Sequence, residues 1–430
     1  MTLGAFGMAL ALLADVLIAR RLGFTATTDA LLIALTLPRL IGTVGRDATK
    51  FSLMTVFIET QKREGDAAFA DLGARVFNLF ILIGLLLTGA GLLLAGPIVS
   101  VIGWGLDPAD QSVSADLLRL AAGIATLALG SAVLEVMLNS HKHFTITAIR
   151  NSVAPIIVIA ATLITWRDDA RAPYTIAGAF TVGYAVYFFL LLGHTVHRLR
   201  FLPRPTRWPV RDTFNKLRGT IGVPLTGFGV RQTARVLERT IASLGPDGSV
   251  AAYYYAYRLL AALQNLVGVS VALTGQPKLT EHDLDGNRAK FIKALKQRIG
   301  ITLIFSLPAA GLLMLLHRPI IDLLYGGGSL STERLGDSAT ILFILGPAVI
   351  FYCLTPVLNA ALYAQKRYGT VLYNMCIAAG SNVLLAFVLF SWLQLPGVAW
   401  AALIAAVISV INLLWLVRPP KQEHTQALST

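Results

Sequence analysis

Apolar residues run along this chain in windows of about 20, the helix length that crosses the roughly 30 Å hydrocarbon layer of a bilayer. Twelve windows are readable: 3–19, 28–57, 76–102, 116–139, 146–166, 174–196, 217–243, 249–276, 295–316, 336–363, 368–392 and 397–417. The expected fold is all-α, a polytopic membrane protein. Between the windows no extended loop is long enough for a soluble catalytic domain, which argues against an enzyme with an extramembrane active site.

Two windows break the apolar pattern. The stretch Asp29 to Phe57, DALLIALTLPRLIGTVGRDATKFSLMTVF, carries Pro38, Gly42 and Gly45 and the charges Asp29, Arg39, Arg46, Asp47 and Lys50. A cation at the centre of a lone membrane helix costs roughly 2.5–3.5 kcal/mol, so three of them predict a wet cavity beside the segment rather than lipid. At 100° per residue Arg39, Thr43, Arg46 and Lys50 fall within about 60° of one another, and that shared face is the first candidate for holding an anion. Arg46 and Lys50 also admit a second reading, as cations near a helix end that snorkel to headgroups.

The seventh window, IGVPLTGFGVRQTARVLERTIASLG, is the other exception. Arg231, Arg235 and Glu238 lie within about 60° of one another on a helix, with Arg239 adjacent. Glu238 is expected to pair with Arg235, one turn away, leaving Arg231 less compensated. Arg231 and Arg235 either face the cavity of Arg39 and help bind a multiply charged anion, or belong to an internal ion-pair cluster. In the eighth window Tyr254, Arg258 and Asn265 share a face. Arginine suits phosphate recognition because its planar fork holds two oxygens at once.

A phrase in the first half returns at a nearly constant offset. Leu22-Gly23 matches Leu244-Gly245, and Gly96-Pro97-Ile98-Val99 matches Arg318-Pro319-Ile320-Ile321, both shifted by 222. Val136-Met137-Leu138 with Lys142-His143-Phe144 matches Ala360-Ala361-Leu362 with Lys366-Arg367-Tyr368, shifted by 224. The spacing predicts two six-helix bundles, 1–197 and 217–418, joined by a linker over 198–216 and followed by a tail over 419–430. Six is even, so both bundles enter the membrane from the same side as a parallel repeat, with a central cavity between them. The repeat sets Arg258 opposite Thr36, one turn from Arg39. The connector from His197 to Arg218, with Pro203, Pro205 and Pro209 among seven cations, reads as a surface strap on anionic lipid.

Composition agrees: 55% of the 430 residues are hydrophobic, 14% are charged, and mean hydropathy is +0.68. The net charge of +13 does not point to nucleic acid, because its placement follows the membrane. With the N-terminus cytoplasmic, 22 cations fall in cytoplasmic loops and tail against six on the other side, a positive-inside signal that places both termini in the cytoplasm. Arg20 and Arg21 are the local exception. The N-terminus has no basic n-region, so the first window reads as an uncleaved helix of a bacterial plasma-membrane protein. Cys353 and Cys376 have no metal or redox spacing and read as small core residues. His141-Lys142-His143 reads as a loop, and Gly326-Gly327-Gly328 as a turn that lacks the lysine of a phosphate loop. No cofactor is expected.

Asp15-Val16-Leu17-Ile18-Ala19-Arg20 with Leu22-Gly23, Thr28-Asp29-Ala30 and Leu37-Pro38 resembles the opening of the MurJ/MviN flippases, within the multidrug/oligosaccharidyl-lipid/polysaccharide exporter superfamily. Gly248-Ser249-Val250, Tyr255-Ala256-Tyr257-Arg258-Leu259, Gly268-Val269, Pro277-Lys278-Leu279, Arg318-Pro319-Ile320 and Leu323-Leu324-Tyr325-Gly326 extend the likeness, which covers residues 3 to about 370. The resemblance implies a flippase for an undecaprenyl-pyrophosphate-linked saccharide, lipid II in the peptidoglycan members. Of the family's cavity residues, the acidic residue of the second helix matches Asp29 and the arginine of the eighth matches Arg258. Asp47 stands where the family usually has glutamate. The chain departs at Met8, Ala14, Gly42 and Thr43, where those flippases carry arginines, and it ends after twelve windows where they have two further helices.

The expected substrate-binding set is therefore Arg39, Arg258, Asp29, Arg231, Arg235, Arg46, Asp47 and Asn265, with membrane lipids and glycan synthases as further partners. Alternatives are an exopolysaccharide-unit flippase, a cation-coupled drug exporter of MATE type, and a non-transporting scaffold for glycan synthases.

Overall fold

A computed structural model describes residues 2–141, 143–166, 168, 170–199, 211–326 and 332–417, with side chains described except at 2–5, 50–52, 55, 211–224 and 332–333. Lys142, residues 200–210 of the linker, Gly327, Gly328 and the tail from 418 onward lie outside the described residues, as does the Lys50 side chain. Helices α1 (Thr2–Leu22), α2 (Ala26–Leu93), α3 (Ala95–Ile102), α4 (Pro108–Ala121), α5 (Ile124–Ser140), α6 (Phe144–Ala148), α7 (Arg150–Ile164) and α8 (Ala172–Leu199) build the first half. The second half contains α9 (Arg211–Ala242), α10 (Ser249–Leu263), a π-helical turn (Gln264–Val269), α11 (Ser270–Leu284), α12 (Arg288–Leu315), α13 (His317–Tyr325), α14 (Thr332–Ala364), α15 (Tyr368–Leu393) and α16 (Leu395–Val417). No strand occurs among the described residues.

Each expected window is helical, and nine helical stretches among the described residues are long and apolar enough to cross a membrane. The bundle is apolar on the outside as well as within: Leu86 is 66% exposed and Leu93 83%, as lipid-facing leucines should be. Cys353 is buried, but Cys376 is exposed on α15 rather than in the core. A small thiol is at home against lipid.

Window boundaries differ from expectation where uniform hydrophobicity conceals a break. Helix α2 contains a reversal at Gly65, whose φ of 86° only glycine adopts cheaply. Gly42 and Gly45 of its first arm meet Ala128 and Leu129, while Gly84 of its second meets Thr126, so both arms pack on one stretch of α5 and run antiparallel. The third window, expected as one span over 76–102, ends at Leu94 and resumes as the short α3. The eighth continues to Leu284 through the π turn.

These breaks recur at the repeat offset. Leu94 (φ −106°, ψ 20°) and Leu316 (φ −109°, ψ 17°) are the same joint, 222 residues apart, each followed by a short helix. Gly65 and Gly286 both have positive φ, 221 residues apart.

The halves are not packed evenly along their length. At the end where α1 finishes and α2 begins, one core spans both halves, with Phe24, Ile33 and Ile102 packed beside Ile241, Tyr255 and Tyr325. At the opposite end the cores are separate: Phe57, Phe69 and Leu134 belong to the first half, and Leu279, Phe291 and Leu362 to the second. The molecule is a cleft closed at one end.

Candidate functional site

The closed end is held by polar ties that use main-chain atoms. Asp29 Oδ2 accepts from the amides of Gly248 at 2.8 Å and Val250 at 3.3 Å, and Oδ1 accepts from Ala251 at 2.8 Å. The first amides of a helix lack partners within it and carry partial positive charge, so a carboxylate fits there. Asp29 is 2% exposed, and both its oxygens are engaged by the other half. The expectation that it touches cargo therefore finds it at the seam instead. Thr240 Oγ1 donates to the Ile102 carbonyl at 2.8 Å, and Gly105 N donates to Ser243 Oγ at 3.2 Å. Backbones meet so closely here that a Cβ on Gly105 would lie 1.9 Å from the Ser243 carbonyl oxygen.

The exceptional cations of the first window are placed here too. Arg20 donates to the Leu324 carbonyl at 2.8 Å and to that of Leu323, while Arg21 donates to the Thr165 carbonyl at 3.1 Å. Each closes off carbonyls at the end of a helix, the pole that attracts cations.

About half-way down, the first arginine cluster forms. Arg39 lies ten residues past Asp29, and Arg258 nine past Ser249, so both are about 15 Å from the closed end at 1.5 Å per residue, near half the hydrocarbon thickness. Arg258 Nε meets Asp15 Oδ2 at 2.7 Å. Tyr254 donates to Asp15 Oδ1 at 3.5 Å, and Arg39 Nη1 donates to Tyr254 Oη at 3.4 Å. Arg39, Tyr254, Asp15 and Arg258 thus form one chain across the two halves. The Arg258 side chain is 38% exposed and that of Asp15 only 8%, so the cation looks into the cleft while its counter-ion sits behind it.

Farther toward the open end a second cluster gathers Arg46, Asp47 and Arg231. Arg46 Nε lies 3.1 Å from Asp47 Oδ1, and Arg231 Nη2 lies 3.9 Å from Asp47 Oδ2. One carboxylate thus serves two cations. Arg231 Nε is buried without a partner, while the side chain as a whole is 42% exposed. Helix α9 therefore runs antiparallel to α2, with Arg239 against Thr36 and Arg231 against Asp47. The structure does not join Arg231 directly to Arg39 and Arg258.

Arg235 lies between the clusters, donating to Gln232 Oε1 at 3.3 Å with its Cζ 5.9 Å from the Tyr257 ring. Its expected pairing with Glu238 is an attraction across a gap, with no nitrogen-to-oxygen contact within 4.0 Å. Glu238 instead accepts from Tyr253 at 3.2 Å and from the Asn382 amide, because tertiary donors reach it better than its own helix neighbour does. Asn265 opens the π turn beyond Gln264; it is exposed and donates to the Ala261 carbonyl at 2.9 Å, with no contact to either cluster.

Sequence reasoning gave Asp15 and Arg239 no role. The signal for Asp15 was present, since a carboxylate inside an apolar window demands a partner. No group of three metal-ligating side chains occurs among the described residues.

The profile of the family described as lipid II flippase MurJ matches residues 18–429. A probable lipid II flippase MurJ of Thermotoga maritima is 25% identical over 409 residues, covering 95% of this chain and 82% of that protein. Among solved structures, an inward closed conformation of lipid II flippase MurJ superposes with a TM-score of 0.84 at 23% identity, over 96% of this chain and 86% of that one. An inward-facing MATE-family transporter of the MOP superfamily gives 0.82 at 15% identity, over 95% and 93%. Because the family match takes in nearly the whole sequence, both arginine clusters included, the chain belongs to the lipid II flippase MurJ family.

Proposed function

We propose that this protein is a flippase that carries an undecaprenyl-pyrophosphate-linked saccharide, lipid II or a related glycan precursor, across the plasma membrane by alternating access. The observation that carries the reading is the meeting of Arg39 and Arg258 around Tyr254 and Asp15 at mid-depth, in a cleft closed at one end. Guanidinium groups held there in reach of water recognise phosphate oxygens, and lipid-exposed cations at that depth would not be tolerated.

The 22-to-six distribution of cations orients the molecule with its closed end outside and both termini in the cytoplasm. The cleft is then open to the cytoplasm, where the lipid-linked precursor is made. The bundles 1–197 and 217–418 rock about the clusters, and the matching joints at Leu94 and Leu316 support that division. Within the set, Arg39, Arg258, Arg235 and Arg231 attract the diphosphate, with Arg46 and Asp47 near the entrance and Asn265 beside it. Asp29 serves by holding the outer end shut. Glycan synthases that make or consume the cargo are the expected partners. A proton- or sodium-coupled drug exporter would want acidic groups free in the cleft, whereas Asp15, Asp47 and Glu238 are all engaged.

The test is leaflet translocation of a lipid-linked precursor in reconstituted vesicles. Arg258→Ala and Arg39→Ala are expected to insert normally and lose translocation. Flipping at the normal rate by both variants overturns the reading.

A further inference from the structure

Along α9 the arginines Arg231, Arg235 and Arg239 recur every four residues, so they climb one face of the helix in steps of about 6 Å. Arg231 is answered by Asp47, but Arg235 and Arg239 have no carboxylate within 4.0 Å among the described residues, and neither has Arg39. The topmost, Arg239, reaches the closed end. Its Nη1 donates to Thr36 Oγ1 at 2.7 Å, and its Cζ lies 5.0 Å from the centre of the Tyr254 ring. Arg39 meets the same tyrosine at its hydroxyl, with its own Cζ 4.0 Å over the Phe180 ring.

Two like charges on one phenol ring repel each other. The ring stack on Phe180 fixes the plane of Arg39 and leaves the edge N–H groups free to donate. No nitrogen of Arg39 or Arg239 is buried without a partner, so the N–H groups not used on Thr36 and Tyr254 reach open space.

We infer that Arg39, Arg239 and Tyr254 form a second seat for a diphosphate, between mid-depth and the closed end, which shares Arg39 and Tyr254 with the Arg258 cluster but uses Arg239 in place of Arg258, whose Nε is already held by Asp15. The inference rests on the flippase reading and deepens it. A diphosphate diester carries two negative charges, which match two guanidiniums that have no carboxylate within 4.0 Å among the described residues, and each fork takes two oxygens. The seat also touches the closure itself. Arg239 precedes Thr240, which ties to Ile102, and its own bond to Thr36 is a tie between halves. An anion that draws Arg239 off Thr36 loosens the outer end as cargo arrives.

The experiment titrates inorganic pyrophosphate against the full-length protein in detergent by calorimetry. R39Q and R239Q are each expected to raise the half-saturation concentration roughly tenfold. R239K keeps charge but loses the fork, and is expected to lose preference for pyrophosphate over monophosphate. T36V removes the tie between helices while keeping both cations, and is expected to stay within about twofold of the wild type. A loss in T36V equal to that in R239Q makes Arg239 a structural tether and overturns the seat, as does unchanged binding in R239Q, whatever R39Q does. If pyrophosphate binding falls only in R258Q, the seat is absent while the flippase reading stands. That reading fails separately, if R258A and R39A translocate cargo normally.

Discussion

Asp29 and Gly248 lie 219 residues apart in sequence and 2.8 Å apart in space, carboxylate oxygen to backbone amide. With Val250 and Ala251 they make the first turn of α10 a socket for a side chain from the other half. Capping contacts of this kind are worth about 0.5–2 kcal/mol, and this one also fastens the closed end. Asp29→Ala is expected to lower the thermal unfolding temperature by a few degrees and to raise the reactivity of a cysteine placed at Ser243, which is 2% exposed in the closed state, toward a membrane-impermeant thiol reagent. Asp29→Asn keeps one acceptor oxygen and should fall between.

Close backbone approach makes the closure sensitive to single methyl groups. A Cβ at Gly248 would lie 2.1 Å from the Phe24 carbonyl oxygen, on a residue whose φ is already +84°. Gly105→Val and Gly248→Val are expected to hold the closed end apart. The measure is disulfide formation between Ile102→Cys and Thr240→Cys, neighbours in the closed state; its yield should drop several-fold in either background.

Asp15 keeps Arg258 electrically satisfied while the cleft is empty. Asp15→Asn removes the counter-ion without changing the shape, leaving the guanidinium free for the diphosphate that the proposed function assigns to it. Because Arg258 is 38% exposed, the stability cost should be nearer 1 kcal/mol than the roughly 3–5 kcal/mol of a fully buried broken pair. Pyrophosphate is expected to bind more tightly to this variant, and translocation to slow because release becomes harder.

Glu238 is buried and depends on Tyr253 and Asn382 for its hydrogen bonds. Asn382→Leu removes one donor and should destabilise the protein by about 1–3 kcal/mol, read as a lower unfolding temperature. Arg258-dependent binding of pyrophosphate should be unchanged, since Glu238 does not contact that cluster.

The windows and the three unusual segments were legible because they rest on local quantities: run length, charge and helical angle. Arg39 and Arg258 could be set at similar depth from the repeat alone. What escaped was whatever depends on a distant partner. Asp29 reads as an intramembrane acid until α10 supplies its amides, and Glu238 reads as the partner of Arg235 until Asn382 arrives from α15. The joints at Leu94 and Leu316 escaped for another reason, since leucine-rich sequence looks the same on either side of a bend.

Most of the ties at the closed end draw their second atom from the main chain, at Ile102, Gly248, Val250, Ala251, Leu323 and Leu324. Any residue but proline supplies an amide, and every residue supplies a carbonyl. Gly248 apart, where the close approach to Phe24 and the positive φ admit no side chain, the partner positions are thus free to drift during evolution without unlatching the halves, and correlated changes between Asp29 and its socket need leave no trace in related genes. Only an imino acid at position 248, 250 or 251 would silence one of these donors, which makes Ala251→Pro, in the tolerant first turn of a helix, the mildest cut through the latch.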